Sequence, residues 1–365
     1  MELLFDDLLD WNNWSIRERT MEPLGLIVLG TSQAGQTVMD AMQSSRYESG
    51  LDDSPMYDCN TGPACNSCAD VWPRACSDCP PCKSDGSGCK SQTTCPTAQP
   101  FVDLNTTCPG NTNGPSCPKM MLYDIGFTGM VASEAQALIT LARIIGRTDA
   151  PTMLTARVAK LRSAAQALWD PSHNGGIFTN RFAGRLHSSC PPALVPCRDG
   201  FYQRISPTSF YSMLGGIATD VQATAMVQNW LLSKDHFCIS AAGDSSGNDD
   251  ECWHGLPSIA RSDPAYPADG YWRGHVWGPM SMLVFWSLQN YDHLPIVRAG
   301  RKAFVQQMET MMLDVAWRPH RHVCENFPRE KGHDDCTGGK YYIWGGNPGL
   351  QRLIEDGMYN LSHGV

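Results

Sequence analysis

The chain has 365 residues, of which 42% are hydrophobic and 18% charged, with a formal net charge of −9. That length suits one large core. The acidic balance and the absence of any Lys/Arg-rich run argue against a nucleic-acid or anionic-membrane partner, because phosphate binding relies on clustered cations. No stretch approaches the roughly 20 uncharged apolar residues of a membrane span.

In chain order, a helix is expected near residues 2–19. The start, Met1-Glu-Leu-Leu-Phe-Asp-Asp7, lacks the basic and apolar regions of a secretory signal. Next comes the acidic run Glu48-Ser-Gly-Leu-Asp-Asp-Ser-Pro-Met56, whose Asp and Ser residues also suit an ordinary turn.

Residues 59–118 differ from their surroundings: ten of the 16 cysteines crowd there among Pro, Gly, Ser and Thr, with no periodicity. This reads as a disulfide-stapled or disordered insertion. Cys65-x-x-Cys68 and Cys76-x-x-Cys79-x-x-Cys82 have zinc-like spacing, but the segment holds no histidine and has more cysteines than a four-ligand site uses. A metal module is the minor alternative for this segment, and the chain is otherwise expected to need no metal or cofactor.

From Phe127 to Ile145 apolar residues recur at helical spacing, and Met153 to Trp169 repeats the pattern, with Asp149 and Pro151 marking its start. Further helices are expected near 207–215, 219–232, 276–290, 294–316 and 345–356, and strand-like alternation is scarce. The six remaining cysteines form near pairs, Cys190 with Cys197, Cys238 with Cys252, and Cys324 with Cys336. Three local disulfides are expected, and together with the sequons at Asn13, Asn105 and Asn360 they point to the secretory pathway or the cell exterior.

The chemistry-bearing residues sit in loops. Two distant acids, Asp52 and Glu325, flank the aromatic and arginine run Gly270-Tyr-Trp-Arg-Gly-His-Val-Trp-Gly-Pro-Met280. Glycoside hydrolysis asks for this equipment: one carboxyl protonates the leaving oxygen and a second works on the opposite face of the sugar. Tyr271, Trp272, Arg273 and Trp277 offer ring platforms and a forked donor for a sugar. Trp277 reads equally well as a core ring, and His275 reads better as structural. Phe210 and Tyr211 read as core or wall residues.

Several blocks resemble, in order, the catalytic barrel of glycoside hydrolase family 63 and its mannosylglycerate hydrolase-like relatives, and more distantly the trehalases. They are Leu8-Leu-Asp-Trp-Asn-Asn-Trp14, the run from Glu48, Leu122-Tyr-Asp-Ile-Gly126, Asp269-Gly-Tyr-Trp-Arg-Gly274, and Glu325-Asn-Phe327 followed by Trp344-Gly345. The resemblance implies an all-α (α/α)6 toroid of the six-hairpin type over 1–58 and 119–365, interrupted by the 59–118 insertion. Because that barrel begins well before the first matched block, the chain is expected to be an N-terminal truncation.

The resemblance also implies inversion, with Asp52 as general acid, its pKa raised by burial or by Glu48 and Asp53, and Glu325 as general base. Trp344 would close the site, and Tyr123 and Asp124 would orient neighbouring loops. The expected substrate is an α-linked glucoside or mannoside, either a glycosylglycerate or an α-glucosyl oligosaccharide. The alternative is a catalytically inactive carbohydrate-binding remnant. A sugar epimerase ranks lower, since no matched histidine pair lies within these blocks. Leu51, His275 and Asn347-Pro348 depart from the usual family residues, which bears on substrate fit more than on the reaction.

Overall fold

The computed structural model describes residues 2–31, 38–52, 54–57, 102–103, 119–183, 197–240, 252, 255–266, 270–329 and 336–358. Nearly all of the cysteine-rich segment, with Cys190, Asp53 and the sequons at Asn105 and Asn360, lies outside them.

Every helix expected from spacing is present. They are α1 (Glu2–Arg19), α3 (Ile125–Ile144), α4 (Pro151–Ala165), α5 (Tyr211–Leu214), α6 (Asp220–Met226), α7 (Gly278–Gln289), α8 (Pro295–Met312) and α10 (Asn347–Glu355). Two were not anticipated, α2 (Val38–Ser49) and the single turn α9 (Arg318–His320).

Local chemistry sets several boundaries. Asp124 caps α3 by accepting from the Phe127 N–H at 2.8 Å. Thr219 and Gln222 close a reciprocal capping box on α6. Helix α4 starts at Pro151, as its entry signal predicts, while Asp149, just before it, forms an ion pair with Arg147 at 2.8 Å.

The helices bury their apolar stripes on one another. Helix α5 lies against both α3 and α7, α4 packs on α3, and α8 and α10 pack on α7. Both α4 and α8 keep one exposed face, whereas α5 is buried throughout. A close backbone approach joins α3 to α5: a Cβ on Gly129 would stand 2.1 Å from the Tyr211 carbonyl oxygen. By length and composition α3 is the one described helix able to cross a membrane, yet half of it is buried within the fold.

The expectation of an all-helical chain omits a seven-stranded antiparallel sheet. Its strands are β1 (Thr20–Met21), β2 (Leu26–Gly30), β3 (Val102–Asp103), β4 (Lys119–Tyr123), β7 (Arg181–Phe182), β8 (Cys197–Arg198) and β9 (Phe201–Tyr202). The order is β1-β2-β4-β7-β9-β8, with β3 also paired to β4. Two further pairs stand apart, β5 (Trp169–Asp170) with β6 (Ile177–Phe178) and β10 (Val276–Trp277) with β11 (Asn326–Phe327).

Most of these strands are two residues long, too short to alternate, and β2 is buried at all five positions, so it shows no polar face. The sheet matters for position. Strand β2 leads toward α2 and the loop of Asp52, and β4 delivers Asp124 to the start of α3.

Candidate active site

Helix α2 ends at Ser49, and the chain then turns through Gly50, Leu51 and Asp52 into a buried 3-10 turn, Pro55–Tyr57. Turn chemistry holds this segment: Ser54 N–H donates to the Leu51 carbonyl at 3.0 Å, and Leu51 N–H to Ser49 Oγ at 2.9 Å. The Tyr57 hydroxyl donates to Asp124 Oδ2 at 2.9 Å, tying the turn to the cap of α3. The ordinary turn reading and the site reading therefore apply to the same residues.

Asp52 is half-buried at the tip of this turn. Burial raises its pKa above the usual aspartate value, and the negative charge of Glu325 raises it further. The expectation that Glu48 supplies the neighbouring charge is corrected. Glu48 is spent on Arg19, whose Nε lies 2.7 and 2.9 Å from its two oxygens, and it also accepts from the Gly30 N–H at 2.6 Å. Asp53 lies outside the described residues.

Glu325 is held from two sides. Its Oε2 accepts from the Gly339 N–H at 2.8 Å, and its Oε1 accepts from the Tyr271 hydroxyl at 3.4 Å. Segment 336–340 runs beside it as a strap. The Cys324–Cys336 disulfide fixes one end and a bridge between Cys324 and Lys340 the other. Between them, Thr337 Oγ1 lies 2.7 Å from Asn326 Oδ1, which is also 2.9 Å from His275 Nδ1. His275 is thus a brace for the loop of Glu325.

The aromatic run divides. Trp272 and Trp277 stack with ring centroids 3.7 Å apart and planes 6° from parallel, and they are 4% and 1% exposed. Trp277 belongs to the core: it donates from Nε1 to the Tyr271 carbonyl at 2.9 Å and packs edge-on against Trp344. It offers no open face to a sugar. Arg273 is also buried, at 3% exposure. Tyr271, 37% exposed at φ +26°, is the ring of this run that reaches solvent and touches Glu325.

A cavity of about 200 Å³ adjoins these segments. Leu51, Trp272 and Trp344 line it, along with Tyr57, Asp124 and Tyr211; neither Asp52 nor Glu325 does. Gly339, Thr337 and Tyr57 escaped the sequence reading. Tyr57 directly follows the matched acidic run, and the Gly338-Gly339 pair marks a close backbone approach, so both carried a signal.

Two of the three expected disulfides are formed, Cys238–Cys252 and Cys324–Cys336, and they fit an oxidising environment. His322 stands beside the second, within 4.8 Å of both sulfurs. With those sulfurs bonded to each other, this trio has no thiolates to offer a metal.

The family model for the mannosylglycerate hydrolase MGH1-like glycoside hydrolase domain matches residues 1–345. The chain belongs to this family of glycosidases. Its fold is similar to that of the GH63 mannosylglycerate hydrolase from Thermus thermophilus in complex with glucose. That similarity has a TM-score of 0.56 and 16% identity, over 96% of this chain and 68% of the other. The same enzyme with Tris and D-glycerate gives 0.53 and 16%, over 96% and 71%. A protein described as a sialidase gives 0.57 and 13%, over 96% of this chain and 23% of that one. Comparison with curated proteins finds no match. At such identities the structural likeness speaks for the fold alone, which is similar to that of a GH63 enzyme.

Proposed function

We propose that this glycosidase domain hydrolyses an α-linked glucoside or mannoside with inversion, using Asp52 as general acid and Glu325 as general base. One observation carries the reading: burial raises the pKa of Asp52, and the charge of Glu325, a carboxylate about 270 residues away in sequence, raises it further. A general acid must hold a proton near neutral pH, and burial plus a neighbouring carboxylate is how proteins arrange this. Glu325, fixed by Tyr271 and Gly339, has the restraint a base needs.

In this reaction Asp52 gives its proton to the glycosidic oxygen as the bond from that oxygen to the anomeric carbon breaks. A water attacks the opposite face, its oxygen bonds to the anomeric carbon, and Glu325 takes the released proton. Each of the two protein groups exchanges one proton. Tyr271 supplies a ring edge to the sugar and, through its hydroxyl, orients the base.

The row of α3, α5 and α7 with α4 and α8 outside it supports an (α/α)6 toroid as the wider architecture. By sequence, residues 59–118 interrupt the family blocks after the loop of the acid, although Val102–Asp103 within them join the sheet as β3, and the disulfides favour a secreted protein. Proton NMR of the first-formed sugar anomer tests the mechanism. Inversion gives the β-anomer from an α-glycoside, and a first-formed α-anomer rejects it. Asp52→Asn and Glu325→Gln should each lower kcat by about 10³-fold or more. Near-normal turnover in either removes that residue from the mechanism.

A further inference from the structure

The cavity beside the catalytic loops is walled almost wholly by carbon. Leu51, Phe127, Met130, Trp272, Leu283 and Trp344 are among the residues that line it, and no Arg, Lys or His among the described residues does. Two polar residues in its wall, Asp124 and Thr208, are already engaged. Asp124 accepts from the Phe127 N–H, from the Tyr57 hydroxyl and from Asn180 Nδ2 at 3.2 Å, and Thr208 Oγ1 lies 2.8 Å from Ser206 Oγ.

Tyr211 adds a hydroxyl to this wall. Tyr211 is 4% exposed, lines the cavity, and its hydroxyl makes no hydrogen bond among the described residues. Burial and the charge of Asp124 raise its pKa, so it stays an O–H donor at any physiological pH.

We propose that this cavity receives the aglycone of the substrate, and that the aglycone is an apolar group the size of an aryl ring or short alkyl chain, carrying one hydrogen-bond acceptor that meets Tyr211. The proposal rests on the Asp52–Glu325 reading above, since it needs the sugar to lie beside Leu51 and Trp272.

Size and chemistry agree. A cavity of about 150 Å³ lined by apolar side chains suffices for benzene, and this one is about 200 Å³. A glycerate carboxylate fits poorly, because it would enter a carbon-walled space without a countercharge and next to Asp124. An acceptor on the ligand would give the Tyr211 hydroxyl a partner inside the cavity. Aryl and alkyl glycosides are therefore the substrate class this wall selects over glycosylglycerates.

Benzyl alcohol is the probe, titrated calorimetrically into the full chain and then used as an inhibitor of glycoside hydrolysis. The expected results are saturable binding, at least tenfold weaker in Leu283→Trp, and inhibition competitive with substrate. Met130→Phe fills the cavity from α3 instead of α7 and should weaken binding in the same way, which guards against one variant failing to fold. Tyr211→Phe should weaken benzyl alcohol several-fold more than it weakens toluene.

Absence of binding, binding indifferent to both filling variants, or purely noncompetitive inhibition overturns the proposal. A protein that binds benzyl alcohol yet cleaves no glycoside would instead count against the hydrolase mechanism. Hydrolysis of a glycosylglycerate with a kcat/KM above that of the benzyl glycoside would count against the aglycone assignment alone.

Discussion

Glu325 and Gly339 exchange hydrogen bonds in both directions. The Glu325 N–H donates to the Gly339 carbonyl at 2.8 Å, and the Gly339 N–H donates to Glu325 Oε2 at 2.8 Å. The backbone pair sets where the strap lies, and the side-chain bond then aims the carboxylate. Gly338 makes room for this, because a Cβ there would stand 2.7 Å from Oε2 and 2.5 Å from Asn326 Nδ2. Gly338→Ala should therefore push the base aside. A displacement near 1 Å costs on the order of 10²-fold in rate, so kcat is expected to fall by about 10- to 100-fold with little change in Tm. Steady-state kinetics beside a thermal melt checks it, and an unchanged kcat would free the strap of its role.

The raised pKa of Asp52 has two separable causes, burial first and Glu325 second. In Glu325→Gln the second is removed, so the pKa of Asp52, read by carbon NMR of the carboxyl, should drop toward but not reach the ordinary aspartate value. In the intact enzyme, activity should decline as pH rises through the elevated pKa, since only protonated Asp52 can act as an acid.

The sign for stability follows from the same shift. Between the ordinary and the raised value the folded state binds more proton than the unfolded state, so stability contributed by Asp52 is lost as pH rises through that window. Asp52→Asn should then leave Tm at neutral pH equal or slightly higher, which a pH series of melts would reveal.

The helices were legible in the sequence because their apolar residues repeat at 3.6-residue spacing, as in Leu154, Val158, Leu161 and Ala165 of α4. Helix α2 was not, since Val38–Ser49 is polar and was dominated by the acidic run that follows it. The sheet was hidden for a different reason: pairs such as Val276–Trp277 with Asn326–Phe327 are fixed by tertiary contact and are too short for a pattern. At the candidate site, the two acids proposed as catalytic lie in the blocks that carry the family resemblance. The burial of Trp277 and Arg273 was not legible, because a tryptophan beside an apolar helix has the same local sequence whether it faces a sugar or the core. The brace formed by His275, Asn326 and Thr337 joins segments that only the fold brings together.

The two disulfides allow a controlled comparison. Cys324–Cys336 closes a separation of 12 residues around Glu325, and Cys238–Cys252 closes 14 residues elsewhere. Loops of this length are each worth about 3 kcal/mol on the chain-entropy account, so the paired serine variants should lose similar stability in urea. Only Cys324→Ser/Cys336→Ser should also lose kcat, because it alone releases the strap. Equal kcat losses in both would mean that general destabilisation, rather than positioning, is being measured.

Gly129→Ala sets two effects of opposite sign against each other. Alanine in a helix interior is favoured over glycine by about 1 kcal/mol, which would stabilise α3. Against this, the new methyl would stand 2.1 Å from the Tyr211 carbonyl oxygen and 2.6 Å from its carbon, both backbone atoms that cannot rotate away. Helices α3 and α5 must separate, and overpacking of this kind costs about 1–3 kcal/mol or more. The net change in urea unfolding should be destabilising by about 1–2 kcal/mol. Because Tyr211 lines the cavity, the same shift should weaken benzyl alcohol binding. A variant more stable than the parent would show that α3 and α5 are not in the tight contact their backbones describe.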